Sequence, residues 1–347
     1  MTNPIFWDGV LRGGAAALLL LLVCNFARDW RGGLAPRFGL LLTLGGVSYL
    51  TLPLMNAGLA GGWQVLPPHI MSLASPALFW LFAASWFDDD FELRPVHGGA
   101  VLLLVGAGLV SNYVWVARGG ILLPLAWRSL SLVFVAMGVR IALQGRNNDL
   151  VEGRRRMRLA LSIAIALLIL WIVGSEVTTR GWPPPVAWRL ANAMAVLLLA
   201  ATVAFSLFGW RDPALLAPPV RAGAAVAAPE ADDSALLARL QASMARERTY
   251  RQEGLTITAV AAGLGVPEYR LRRAINRGLG ARNFNAYLNG FRLAEAEQAL
   301  ADPAQKEVPI LTIALDAGFG SLAPFNRAFR AANDCTPSEY RAQKLRD

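Results

Sequence analysis

Over its first 210 residues the chain alternates between long apolar runs and short polar breaks. Seven runs stand out, near 8–27, 38–57, 68–87, 98–117, 121–143, 159–178 and 189–209. A helix crossing the hydrocarbon core of a bilayer needs about 20 mainly apolar residues. The runs therefore predict seven spanning helices, and the short breaks between them predict a compact bundle. The pattern then changes. Residues 211–233 (RDPALLAPPVRAGAAVAAPEADD) have no apolar periodicity, and Pro213, Pro218, Pro219 and Pro229 oppose a continuous helix. At about 3 Å per residue, such a segment is a semi-extended spacer several nanometres long.

Beyond the spacer, apolar residues return at helical spacing. Residues 235–248 read as the first helix of a new domain. Ile257, Val260, Ala261 and Leu264 then repeat at i, i+3, i+4 and i+7, one buried helix face. Gly265 supplies a turn and Pro267 opens a second helix, in which Leu271, Ala274 and Ile275 form the buried stripe. The opposite face carries Tyr269, Arg272, Arg273 and Asn276, flanked by Arg270 and Arg277. About fifty residues on, the plan repeats. Ile310, Ile313, Ala314 and Ala317 line one helix, Gly318-Phe319-Gly320 make the turn, and Ser321 stands where it can cap the next. There Phe325, Ala328 and Phe329 point inward, and Ala323, Asn326, Arg327 and Arg330 outward.

Between the two units, 284–301 reads as one amphipathic helix with Phe284, Leu288, Phe291 and Ala294 on its apolar face. A rigid connector of that kind would set two recognition helices in successive major grooves, about 34 Å apart. One such helix pair is as readily an ordinary αα-hairpin. Two in tandem, with matched outward arginines, point to double-stranded DNA. Residues 267–282 hold five Arg against one Glu, so the basic charge is concentrated where a groove would meet it.

Composition separates the same two halves. The 347 residues are 55% hydrophobic and only 16% charged, beyond what one soluble globule carries. All 11 Trp fall between Trp7 and Trp210. Residues 1–212 hold 16 basic and 10 acidic side chains, a formal charge of +6; residues 213–347 hold 17 and 14, or +3. Cys24 and Cys335 fall in different halves, which argues against a disulfide framework. His69 and His97 have no partners at ligand spacing, so neither a metal site nor a cofactor is expected. No nucleophile–base constellation appears, and catalysis is not expected. The first run lacks a basic leader and a small-residue cleavage pattern, and reads as retained.

Basic residues orient the bundle. One set of alternate loops holds Arg28, Arg31 and Arg37, then Arg94, then Arg146, Arg154, Arg155, Arg156 and Arg158, then Arg211. The other holds none in 58–67, then Arg118, then Arg180. On this rule the N-terminus lies outside and the C-terminal domain in the cytoplasm of a bacterial inner membrane. Ionisable groups at membrane depth are Arg128, Glu176 and Arg189. They suggest either an outward-opening ligand pocket with Arg128 and Glu176 paired, or snorkelling ends beside an aromatic belt. The loop Asp88-Asp89-Asp90-Phe91-Glu92 is open to three readings. It is a solvated loop paired with the basic stretch 154–158, a regulatory dock for the Arg-rich domain, or a Mg²⁺ site.

Residues 235–343 resemble the AraC/XylS-type regulators. The resemblance is carried by Leu264-Gly265-Val266 to Leu271 and Arg273, Gly280, Arg292-Leu293-Ala294-Glu295-Ala296, and Ile313-Ala314. It continues through Gly318-Phe319, Phe325-Asn326-Arg327-Ala328-Phe329-Arg330, and Thr336-Pro337 with Tyr340-Arg341. It implies a DNA-binding domain with two helix-turn-helix units on a long helix, and base contacts from Tyr269, Arg272, Arg273, Ala323 and Arg327. Two positions depart from the pattern. Asp334 stands where the family usually has a left-handed Gly, and Leu322 and Ala323 make the second recognition helix less polar.

The whole is predicted to be all-α: a seven-helix transmembrane sensor bundle (1–210), the spacer (211–233) and a DNA-binding domain (234–347). Its first helix-turn-helix is placed at about 256–277 and its second at about 309–332. The function this predicts is a membrane-bound one-component transcription regulator. Its partners would be promoter DNA, the lipid bilayer, a small-molecule or membrane-borne signal, a second copy in a homodimer, and RNA polymerase. Two other functions fit the same halves: a membrane transporter or enzyme with a regulatory tail, and a stored transcription factor released by proteolysis.

Overall fold

The structure is a computed structural model that describes residues 4–55, 62–88, 91–115, 122–144, 146–151, 155, 158, 162–171, 174, 185–209, 231–281 and 283–346. Glu176, Asp89, Asp90 and residues 211–230 of the spacer lie outside the described residues. The described residues are helical throughout apart from turns and one isolated bridge, so the fold is all-α. The chain divides into two compact units. One comprises residues 1–147 and 153–218; the other comprises 148–152 together with 219–347.

The first unit holds α1 (Pro4–Arg28), α2 (Leu34–Leu54), α3 (Leu66–Phe87), α4 (Pro95–Leu109), α5 (Leu122–Gln144), α6 (Ser162–Trp171) and α7 (Val186–Gly209). Among the described residues, five helical stretches are by length and composition able to cross a membrane: Pro4–Arg28, Gly62–Phe87, Pro95–Val114, Leu122–Gln144 and Val186–Phe205. The run at 38–57 forms α2, of 21 residues. The run at 159–178 is described only over α6 and at Gly174.

Helix α3 is the centre of this unit. Its apolar window is 67% buried, against 22–28% for the other four. It packs on α2, α4 and α5, while α1 bridges α2 and α7. Uniform hydrophobicity hides this hierarchy, because a helix apolar all round can face lipid or protein. Small residues decide it instead. A Cβ at Gly138 of α5 would stand 2.7 Å from the Phe79 ring of α3, so glycine there is what lets the two helices close.

In the second unit α8 spans Ala231–Glu247, beginning inside the stretch read above as spacer. Then come α9 (Ile257–Gly263), α10 (Glu268–Leu279), α11 (Phe284–Ala301), α12 (Ile310–Asp316), α13 (Leu322–Asn333) and α14 (Pro337–Lys344). Their ends are capped by side chains where the sequence provides them. The Thr256 hydroxyl accepts from the Ala259 N–H at 3.2 Å, and Asn283 accepts from Asn285 at 2.9 Å. Thr336 and Glu339 form a reciprocal capping box at α14. Ser321 occupies the N-cap position of α13 but makes no capping hydrogen bond.

Helix α11 carries two cores. Phe284 and Leu288 belong to a cluster with Leu240, Ile257, Leu271 and Ile275. Leu293, Ala296 and Leu300 belong to another, with Ile313, Phe319, Phe325 and Phe329. At 3.6 residues per turn the two faces are rotated by roughly 130°. This corrects the single apolar stripe expected from the sequence: Ala294 is exposed and Phe291 half-buried. One helix serving two lobes on different sides cannot keep one stripe.

Asp334 closes α13 in the left-handed region at φ 54°, its N–H donating to the Arg330 carbonyl at 2.9 Å. A left-handed L-residue costs about 1–2 kcal/mol, and glycine returns about 0.4–1 kcal/mol of that through the unfolded chain. Asp334→Gly should therefore stabilise the second lobe by about 0.5–1 kcal/mol. Slower amide hydrogen exchange in α12–α14 would show it; faster exchange would contradict it.

Candidate DNA-reading surface

Helices α9 and α10 meet through a turn in which Gly265 takes φ 68°, and the Val266 N–H donates to the Ala261 carbonyl at 3.0 Å. Leu271, Ala274 and Ile275 are fully buried, which fixes the outward face of α10. Tyr269 (68% exposed), Arg273 and Arg277 stand on it, with Arg270 half-buried at its edge. Arg273 reaches Asp233 of α8 at 3.5 Å.

Two residues expected on this face are placed otherwise. Asn276 is half-buried and donates to the Ala281 carbonyl at 2.9 Å, closing the chain after α10 at the left-handed Gly280. Arg272 is only 3% exposed. Its Nε donates to Glu268 at 2.8 Å and its Nη1 to the backbone carbonyl of Asp149 at 2.7 Å. The sequence reading sets it on the outward face; the 100° step puts it nearer that face's edge, toward the buried side. A segment 123 residues upstream in sequence covers it, and nothing in the local pattern signals that arrival.

In the second pair, α12 and α13 are joined at Gly318, φ 94°, whose following N–H (Phe319) donates to the Ala314 carbonyl at 3.0 Å. Phe325 and Phe329 are fully buried, and Ala323, Asn326, Arg327 and Arg330 are all exposed, as the helical spacing requires.

The two lobes are joined by groups whose role the sequence reading missed. Arg292 on α11 donates to the carbonyls of Tyr250 and Gln252, at 2.8 and 3.0 Å, and lies 5.7 Å over the Phe319 ring of the other lobe. Glu295, one turn on, accepts from Arg248 at 3.3 Å and from Arg251. Both sit in the Arg292–Ala296 stretch that carried the family resemblance; the available signal was a charged pair at i, i+3 on a half-buried helix.

The Arg251 hydrogen bond, more than any other contact, holds the Glu295 carboxyl below the usual carboxylate range. A lowered folded-state value contributes stability above the unfolded value near 4.5 and loses it as pH falls through the folded one. The lobe junction should thus loosen as pH falls below the unfolded value near 4.5. Glu295→Gln should flatten that dependence, read by hydrogen exchange of 248–252 in the full chain. Glu295→Ala should cost about 0.5–1.5 kcal/mol at neutral pH, a charged hydrogen bond discounted because Arg248 and Arg251 are largely open to water.

In the first unit, Arg128 and Arg189 are half-buried on α5 and α7. Asp88 caps α3 and is exposed, and Glu92 pairs with Arg94 at 3.0 Å. Arg158 is 1% exposed; it donates to the Phe87 carbonyl and lies 4.9 Å over the Phe87 ring. That brings Arg158 to Phe87, just before the acidic loop.

A further polar group joins four helices of this unit. Arg12 and Asp8, both buried on α1, pair at 3.0 Å, and Arg12 also donates to the Leu50 carbonyl of α2 at 3.4 Å. Beside Leu50, the Tyr49 hydroxyl accepts from Asn192 of α7 at 3.3 Å. Asn192 in turn accepts from Trp171 of α6, whose ring stacks on Trp188 at 5.1 Å. Trp171 and Trp188 fall at a shared outer depth in the sequence, as the aromatic belt would. Asp8, Arg12, Tyr49 and Asn192 do not stand out, since an i, i+4 ion pair and a lone Asn look ordinary until their helices meet.

Two short helix pairs strung on one long helix, each with a buried stripe and an exposed basic face, form a helix-turn-helix DNA-binding domain. Residues 260–343 match a family described as a helix-turn-helix domain. The chain is also 34% identical over 91 residues to the probable transcription factor PqrA of Proteus vulgaris, a match spanning 26% of this chain and 71% of that one. The chain belongs to the AraC-type helix-turn-helix family, and its C-terminal domain, over residues 260–343, is that of a DNA-binding transcription regulator. No solved structure matches it.

Proposed function

We propose that the chain is a membrane-held one-component transcription regulator, with seven spans, its N-terminus outside and its DNA-binding domain in the cytoplasm. The observation that carries this is a conjunction. Among the described residues, five helices long and apolar enough to cross a membrane share a chain with an AraC-type DNA-binding domain. Alternate-loop arginines then favour the orientation that leaves that domain facing DNA. Sequence would be read by Tyr269, Arg270, Arg273 and Arg277 on α10, and by Ala323, Asn326, Arg327 and Arg330 on α13. The same reading admits a homodimer on paired sites and contact with RNA polymerase.

The signal would act on the first unit and reach the tail through α7, the helix that leads into the spacer. Trp171, Trp188 and Asn192 tie α6 to α7, and Tyr49 ties both to α2, so a ligand that separates them shifts α7. Arg128, Glu176 and Arg189 remain the charged groups from which such a ligand would gain affinity.

The test is fractionation of cells expressing the full chain, followed by an immunoblot against the C-terminus and cysteine labelling of single-cysteine loop variants. The chain should sediment intact with membranes, with position 118 labelled from outside and position 94 only after permeabilisation. The opposite labelling pattern would overturn the orientation. A soluble fragment of about 15 kDa on induction, at ~110 Da per residue, would replace tethered action with release.

A further inference from the structure

The second unit includes five residues that the chain lays down before α6. Three of them are almost wholly buried: Asp149 at 1%, Leu150 at 2% and Val151 at 3% exposed. Leu150 joins the same apolar cluster as Leu271 and Ile275 of α10 and Phe284 of α11. Asp149 forms an isolated antiparallel bridge with Asn283, the residue that caps α11. Its side chain accepts from the Val151 N–H at 3.1 Å, which holds the segment in a tight turn. Its carbonyl accepts from Arg272 at 2.7 Å.

The consequence falls on α10. By the 100° step, Arg272 lies roughly 110° from the centre of that helix's buried stripe, a position ordinarily open to solvent. Here it is 3% exposed, held between Glu268 of its own helix and the Asp149 carbonyl. A duplex entering along α10 would need Arg272 extended, because a guanidinium folded onto a protein carbonyl cannot also fork onto a guanine edge or a phosphate. Segment and DNA therefore compete for one flank of the recognition helix.

We propose that residues 148–151 are an intrachain clamp on the first recognition helix: seated, they hold Arg272 away from DNA, and their departure completes the reading surface. The clamp rests on the DNA-reading role proposed above for α10. It lies only four residues past the end of α5. Movement of that helix can therefore pull on the clamp directly, without acting through the spacer. Leu150 supplies the apolar anchor, and the bridge to Asn283 sets the register.

Two measurements on the full chain test it. First, Asp149→Cys with Asn283→Cys is made in a Cys24→Ser, Cys335→Ser background. Bridge partners sit about 4.5–5.5 Å apart at Cα, within disulfide range. Mild oxidation of isolated membranes should give an intramolecular crosslink, seen as a compact monomer on a non-reducing gel. No crosslink, or one at dimer mass, overturns the intrachain clamp. Second, chromosomal occupancy is mapped for Leu150→Glu and the milder Leu150→Ala. Occupancy should rise at the sites bound by the parent chain, on the order of tenfold for Leu150→Glu and less for Leu150→Ala. Unchanged or lower occupancy for Leu150→Ala, at normal protein level, overturns the clamp. Arg273→Ala in each background separates the two ideas. If occupancy survives that change, the DNA-reading assignment of α10 has failed; if it collapses while the Leu150 variants show no rise, only the clamp has.

Discussion

Replacing Arg273 and Arg327 together by alanine should erase site-specific DNA occupancy by the full chain while leaving the domain folded. The two arginines stand one on α10 and one on α13, and both are exposed. A well-placed base contact discriminates by about 1–3 kcal/mol, so the pair accounts for about 2–6 kcal/mol. Specific sites exceed non-specific DNA by about 4–10 kcal/mol, so losing that much moves occupancy most of the way to background. Folding should hardly notice. The Arg273–Asp233 pair at 3.5 Å is a surface interaction, worth about 0–1 kcal/mol. Genome-wide occupancy and a DNA titration at fixed salt would measure the effect, and persistence of the parent sites would refute the assignment. Arg272→Ala by itself should be milder than Arg273→Ala in the resting chain, because the Arg272 guanidinium is already engaged by Glu268 and Asp149.

Gly318→Ala should disable the second lobe without touching any residue assigned to DNA. Gly318 holds φ 94°, a left-handed conformation that L-residues rarely adopt. A Cβ there would also stand 2.7 Å from both the Arg251 Cα and the Tyr250 carbonyl oxygen. Those are backbone atoms, and they cannot rotate away as a side-chain tip would. Strain of about 1–3 kcal/mol for the dihedral and a similar overpacking term add to about 2–6 kcal/mol. That is a large part of the 5–15 kcal/mol that typically stabilises a domain. Hydrogen exchange should show α12–α14 opening while α9 and α10 stay protected, and specific occupancy should fall with them. Uniform protection in the variant would mean the turn adapts, contrary to this reasoning.

The helices of the second unit were legible because each writes its buried stripe into i, i+3, i+4 spacing. Leu271, Ala274 and Ile275 in α10, and Phe325 and Phe329 in α13, are buried as that spacing predicts. Helix α11 misled for the same reason. A single-stripe reading assumes one core, and Ala294 was assigned to a face that the second lobe does not use. Asn276 was assigned outward by angle alone, yet its amide is needed to close the chain at Gly280. In the first unit, periodicity had little to say. All-round hydrophobicity marks a helix without marking its neighbours, so neither the central place of α3 nor the Arg12–Leu50 contact could be read in advance.

The sequence by itself determined that the chain is helical, that it has an apolar half and a DNA-binding half, and which family the second half belongs to. These follow from composition, local spacing and short-range motifs, all carried within a few turns of helix. Only the tertiary structure decided which arginines of α10 stand open. Arg273 and Arg272 are adjacent and chemically identical; one lies exposed and the other lies beneath a carbonyl that arrives from 123 residues away. Accessibility belongs to the assembled surface, and no property of a residue's own neighbours in sequence encodes what will come to cover it.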